Sequence, residues 1–269
     1  MTPAELARAL TDAARRTARD GELDLDPARL PEPVVDSPPR PGGGPDGDYA
    51  SGFPLRVARL AGRRPDQVAA SLAVRLRATP GLAEVTVTGP GFVTVTLQPS
   101  ARAALVRELA DRPVPGLRTV DQPARDLAAW AAVTGEPAGR LVRRTEDSSL
   151  FRVQYAHFLC HATLRWARDL RVGADRADGS HRHPAQRALL GLLADQSRVA
   201  SAGRADRHAR HLDRIAGALR TVVETCPPLP RGGEKPGAAH RERLALVEAT
   251  GTVLAGGLTQ LGVTAPHRL

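Results

Sequence analysis

The stretch LFRVQYAHFLCHATLRWARDL, residues 150–170, reads as one long amphipathic helix. Val153, Ala156, Cys160, Leu164 and Ala167 recur three and four residues apart, the spacing that lines one helix face. Neither Gly nor Pro interrupts the run. Three more segments downstream keep this period: His183–Leu193, Ala205–Cys226 and His240–Leu261. Leu212, Ile215, Leu219, Val222 and Val223 form the apolar seam of the middle one. Between the helices, Val172–Ser180 and Pro227–Gly237 collect the Gly and Pro residues that end them. Residues 150–269 are therefore expected to fold as a mainly α-helical bundle.

Working outward toward the N-terminus, the pattern changes. Arg112–Pro137 is punctuated by Pro113, Pro115, Pro123 and Pro137, with one short helix around Leu127–Ala132, so residues 112–149 read as a linker. Before it, Pro3–Arg19 spaces Leu6, Ala9, Leu10, Ala13 and Ala14 on a helical face, with Thr2 as cap, Pro3 in the first turn and Gly21 as stop. Pro31–Gly47 is a loop dense in Pro and Gly. Helices are expected at Phe53–Leu60, Pro65–Arg77 and Ser100–Asp111. Glu84–Thr88 and Phe92–Leu97 alternate apolar and polar residues about Gly89-Pro90-Gly91, the signature of two half-buried strands and a turn. The first 111 residues thus predict a small α+β domain.

Composition narrows the function classes. Lys and Arg number 38 against 29 Asp and Glu, a net charge of +9, which favours polyanionic partners, nucleic acid before anionic membrane. Lys235 is the only lysine, so part of the Arg richness reflects a coding bias toward GC; the excess over the acids survives that discount. Aromatic residues are only 3%, leaving cores to Leu, Val and Ala. Cys160 and Cys226 suggest neither a disulfide framework nor a zinc knuckle, and point to a reducing cytoplasm. No stretch approaches the ~20 apolar residues of a membrane span, and none has the build of a signal peptide.

Three segments in order carry a family resemblance. Gly47-Asp48-Tyr49-Ala50 and Gly89-Pro90-Gly91-Phe92 resemble the N-terminal additional domain of arginyl-tRNA synthetases. Val153-Gln154-Tyr155-Ala156-His157 resembles the opening of their DALR anticodon-binding domain. The run from Arg243 to Thr250, then Val253-Leu254, Gly257-Leu258 and Leu261 to Pro266, is similar to that domain's end. The chain as a whole resembles ArgS-related anticodon-binding proteins of the NrtL kind. Class I synthetases carry a His-x-Gly-His type motif and a Lys-Met-Ser-Lys-Ser type loop that counter phosphate charge during adenylate formation. Neither occurs here: Lys235 sits in Gly-Gly-Glu-Lys-Pro-Gly, and the only methionine is Met1. The resemblance implies a non-catalytic tRNA-binding protein without cofactor, gripping the tRNA elbow with one end and the anticodon stem and loop with the other. Arginine tRNA is the first candidate. The alternative is a protein-interaction or regulatory module that kept the fold and lost specific RNA binding, with a protein partner in place of tRNA.

The residues singled out follow from that reading. By resemblance, Tyr49 and Phe53 approach the D-loop, and Gln154, Tyr155 and His157 face the anticodon loop, where unpaired bases need stacking surfaces and edge hydrogen bonds. The family usually continues Ala-Arg after the histidine, whereas Phe158-Leu159 follows here, exchanging a basic position for an apolar one. It also carries an aromatic pair before the Cys-Pro step, where this chain has Val222, Val223 and Glu224. The family tail Ala-Pro-Glu-(basic)-Met becomes Ala-Pro-His267-Arg268-Leu269, with Arg268 as a phosphate contact. Independently of resemblance, Arg207, Arg210 and Arg214 stand three and four apart, a row that can track a phosphate backbone, although interleaved Asp206 and Asp213 also suit a merely solvated face. His157, Cys160 and His161 place three metal-capable side chains together on one helix, but no fourth ligand is evident and no metal is expected. Gly42-Gly43-Gly44 matches no phosphate-binding loop.

Overall fold

A computed structural model describes residues 1–36, 47–120, 122–177 and 179–269. Most of the Pro31–Gly47 loop, including Gly42-Gly43-Gly44, lies outside the described residues. The chain divides into two compact units, Met1–Arg102 and Ala103–Leu269. The first is α+β and the second helical, the fold class the patterning implied.

In the first unit, α1 spans Pro3–Arg19. Its start is a capping box: the Thr2 hydroxyl accepts from the Glu5 amide at 3.2 Å while the Glu5 carboxylate accepts from the Thr2 amide at 2.7 Å. The chain then reaches β1, Tyr49–Ser51, α2, Phe53–Ala61, α3, Pro65–Leu76, β2, Leu82–Thr88, and β3, Phe92–Leu97. The three strands form an antiparallel sheet in the order β1-β3-β2. Leu6 and Leu10 of α1, Val57 of α2, Leu72 and Leu76 of α3, and Val85, Val93 and Val95 of the sheet are all buried, so the apolar faces of the helices and the sheet share one core.

The Gly-Asp-Tyr-Ala segment is the staple of this unit. Gly47 lies so close to β3 that a Cβ there would stand 2.4 Å from Thr94 Cγ2, which only glycine avoids. Next to it the Asp48 amide donates to Val95 O at 2.8 Å. The Asp48 carboxylate accepts from the Leu97 amide at 2.7 Å and from the Arg102 guanidinium at 2.7 Å. Both side chains of this ion pair are buried.

The unit boundary falls within α4, Pro99–Ala110. Beyond it come α5, Pro123–Thr134, α6, Ala138–Leu141, α7, Ser149–Asp169, α8, Pro184–Ser201, α9, Ala205–Thr225, and α10, Ala238–Gln260. α7 packs on α9 and α10, α8 on α9 and α10, and α5 on α9. Leu189, Leu193, Leu212, Ile215, Leu219, Leu244, Leu254 and Leu258 fill the core, with α7 contributing Val153 and Cys160. At Gly257 an added Cβ would meet Leu212 Cδ2 at 2.4 Å, so this glycine lets α10 sit against α9.

The stretch read as a linker belongs to this helical unit. Pro123, taken as punctuation, stands in the first turn of α5, where its missing N–H costs nothing. Trp130 of α5 is wholly buried and donates through Nε1 to Ser149 Oγ at 2.7 Å, tying α5 to the start of α7. Ser149 in turn donates to Glu136.

Candidate nucleic-acid interface

The helical unit presents its outward chemistry on α7 and α9. The N-terminus of α7 is set by Ser148, whose hydroxyl accepts from the Phe151 amide at 3.2 Å. Leu150, Val153, Ala156 and Cys160 turn inward, which leaves Phe151, Tyr155 and Phe158 on a more open face. Their rings form a ladder: Phe151 and Tyr155 stack with centroids 5.6 Å apart, and Tyr155 and Phe158 stand 6.1 Å apart. Tyr155 is 39% exposed, with half-buried neighbours holding it on both sides. Two turns further on, Trp166 is 52% exposed between the exposed Arg165 and Arg168. In a chain with so few aromatics, this concentration on one helix supplies flat apolar faces beside guanidinium groups, the materials of base stacking.

Arg152, one turn before Tyr155, fixes α7 against α9 through a bidentate pair with Asp213, both contacts 2.7 Å. That pairing raises the Arg152 pKa, chiefly through the hydrogen bonds to Asp213. On α9, Arg207, Arg210 and Arg214 are exposed while His208, His211, Leu212 and Ile215 turn inward. Arg210 is held by Asp206, which also pairs with Arg204 at 3.2 Å. Asp213 is occupied by Arg152, so the acids interleaved in this row neutralise Arg210 and leave Arg207 and Arg214 facing solvent. The buried histidines of α9 are neutral anchors: burial pushes His208 down to about 4 and lowers His211. His211 donates to Leu192 O at 3.0 Å, and the Gln196 amide donates to His208 Nε2 at 2.6 Å.

The other singled-out residues have different surroundings. Tyr49 and Phe53 are core side chains, each 1% exposed, and Tyr49 Oη donates to Met1 O at 3.2 Å. Neither can stack on a base from this position. His157 is fully buried and its Nδ1–H donates to Pro266 O at 3.0 Å, so it too offers no surface to a loop base. Gln154 spends both amide hydrogens, one on Asp126 Oδ2 at 3.2 Å and one on Thr264 O at 3.1 Å. The buried Asp126 carboxylate also accepts from the Thr264 amide at 3.0 Å. Gln154 and Asp126 therefore dock the C-terminal tail on α7 and α5, and leave Arg268, two residues beyond the buried Pro266, exposed. Sequence reasoning missed Phe151, Phe158 and Trp166. In sequence Phe158 reads only as the apolar replacement of a basic position, although its spacing from Tyr155 places both on one face.

Comparison with known proteins bears on both units. The Arginyl tRNA synthetase N terminal domain matches residues 4–97, and the DALR anticodon binding domain matches residues 153–269. These two matched segments are what the chain shares with arginyl-tRNA synthetases. The arginine–tRNA ligase of Frankia alni is 41% identical over 136 residues, covering 48% of this chain and 25% of the relative. That of Clavibacter sepedonicus is 38% identical over 136 residues, with 48% and 24% covered. That of Kineococcus radiotolerans is 41% identical over 111 residues, with 41% and 20% covered. The chain thus matches a quarter or less of the length of these curated relatives. A solved Thermus thermophilus arginyl-tRNA synthetase is 23% identical with a TM-score of 0.43, covering 62% of this chain and 31% of that one. Within the DALR match lie Tyr155 and Phe158 of the aromatic ladder, Trp166, the α9 arginines and Arg268, with Phe151 just before its start. Within the synthetase N-terminal domain lie Asp48, Tyr49 and Phe53, all buried. Among the described residues no helix is long and apolar enough to cross a membrane.

Proposed function

We propose that this chain binds tRNA through its anticodon-binding domain and does not aminoacylate it, acting in the cytoplasm with arginine tRNA as the first candidate. The observation that carries the reading is the exposed aromatic and arginine surface of α7 and α9 within a domain named for anticodon binding. Tyr155 and its flanking phenylalanines supply stacking, while Arg207, Arg214 and Arg268 supply phosphate contacts. The buried His157, Tyr49 and Phe53, and Gln154 with its amide spent on Asp126 and the tail, act through the fold rather than at the RNA. The absence of catalysis rests on what lies between the two matched domains. Residues 98–152 contain neither a His-x-Gly-His motif nor a lysine, which supports the non-catalytic reading.

Fluorescence anisotropy with labelled tRNA tests the binding. Affinity should fall steeply between 50 and 200 mM salt, because each phosphate neutralised contributes about −0.7 to −0.9 to the slope of log K against log salt. Failure to bind any tRNA at the lower salt would defeat the reading. Arginine-dependent exchange of pyrophosphate into ATP should be absent, and its detection would defeat the non-catalytic half alone.

A further inference from the structure

The fold brings a third histidine to the pair on α7. His157 and His161 lie one turn apart on that helix, and His267 reaches them from the C-terminal tail. One ligand nitrogen from each ring lies within 4.8 Å of those of the other two. The ring centroids of His161 and His267 are 4.1 Å apart, and those of His157 and His161 are 4.7 Å apart. Cys160, the third metal-capable side chain in sequence, is buried on the α10 side, with Gly251 against it, and takes no part.

We propose that His157, His161 and His267 form a three-histidine site for a divalent transition ion of the zinc class. The chemistry of His157 carries the argument. A carbonyl can only accept, so its Nδ1 bears the proton given to Pro266 O, and Nε2 is left with a bare lone pair. That Nε2 is buried and has no hydrogen-bond partner, a costly arrangement for a core nitrogen unless a ligand satisfies it. Metal-bound histidines characteristically donate their second nitrogen to a carbonyl, which fixes ring and tautomer.

The site is half built and half adjustable. His157 is locked, His161 half-buried and His267 exposed on a tail docked by Gln154 and Asp126. Zinc–nitrogen bonds of about 2.0–2.1 Å in a tetrahedron need nitrogens roughly 3.3 Å apart, so the less buried His161 and His267 rings must close in. Three imidazoles without thiolate or carboxylate suit zinc, nickel, cobalt or copper rather than magnesium or calcium. The fourth position is left to water or an anion, the latter favoured by Arg165 and Arg168, whose charges act on His161. A bound ion would latch the C-terminal tail onto α7.

The test is calorimetric titration of zinc chloride into the untagged, chelator-stripped chain, followed by the visible spectrum with cobalt. One equivalent should bind with a dissociation constant of roughly 10 μM or tighter, and cobalt should give the absorption of a tetrahedral site. His267→Gln and His161→Gln should each weaken binding by about 10-fold or more, while His183→Asn leaves it unchanged. His267 is exposed, so its variant decides the matter even if the other fails to fold. The proposal is overturned if the native chain binds no stoichiometric zinc, or if His267→Gln binds it as tightly as the native chain.

Discussion

The two units use the same kind of residue in opposite ways. In the α+β unit the aromatic and charged members of the Gly-Asp-Tyr-Ala segment are buried, with Asp48 paired to Arg102 and Tyr49 inside the core. In the helical unit Tyr155, Trp166, Arg207 and Arg214 are exposed, while Gln154 and His157 of the same helix face are consumed in docking the tail. A family motif can therefore mark a structural staple in one domain and border an exposed aromatic and arginine surface in the other. Burial, not residue type, separates the two.

The largest effect that sharpens this contrast is on stability. Asp48→Ala removes the counter-charge of a buried guanidinium and should cost about 3–5 kcal/mol, read as a lowered denaturant midpoint for the α+β unit. Near-native stability would mean that the Gly-Asp-Tyr-Ala segment is not the staple described. Tyr155→Ala should do the reverse. It should weaken tRNA binding by about 1–3 kcal/mol while moving the melting temperature little, since its ring is partly solvent-facing. Unchanged affinity in anisotropy would remove the ladder from the interface.

Smaller still, Arg207→Ala and Arg214→Ala should each weaken binding by about 1 kcal/mol and lower the salt slope by about one unit at most. Arg210→Ala should do less, because Asp206 already holds that guanidinium. Equal losses at all three positions would show that the acids of α9 do not select among its arginines. The smallest effect concerns pH. His208 titrates at about 4 in the fold, below its ordinary 6.5, so the unfolded chain binds more protons between these values. Its contribution is fully present above pH 6.5 and is lost as the pH falls toward 4. The helical unit should melt lower over that window, with the lowered His157, His161 and His211 adding to the decline, and His208→Gln should remove only its own share of it.

Much of this architecture is legible in the sequence because its signals are local. Thr2 and Glu5 announce the start of α1, and the alternation about Gly89-Pro90-Gly91 announces β2 and β3. β1 is not legible, since three residues are too short to alternate and its pairing is set by β3, more than forty residues away. α5 is under-read because a proline that opens a helix looks like one that breaks it until Trp130 is seen in the core. The candidate surface is partly legible: Tyr155 stands out as a rare aromatic, but the burial of Tyr49, Phe53 and His157 depends on tertiary packing. His267 joins His157 only because the tail folds back onto α7, a long-range event that no spacing rule encodes.

The most direct test of the account is ultraviolet crosslinking of bound tRNA, with the attachment sites mapped by mass spectrometry. Crosslinks should concentrate in residues 151–168 of α7, at Tyr155 above all, with Phe158 and Trp166 alongside. Crosslinks confined to residues 47–53, or a bound tRNA that leaves α7 unmarked, would contradict it.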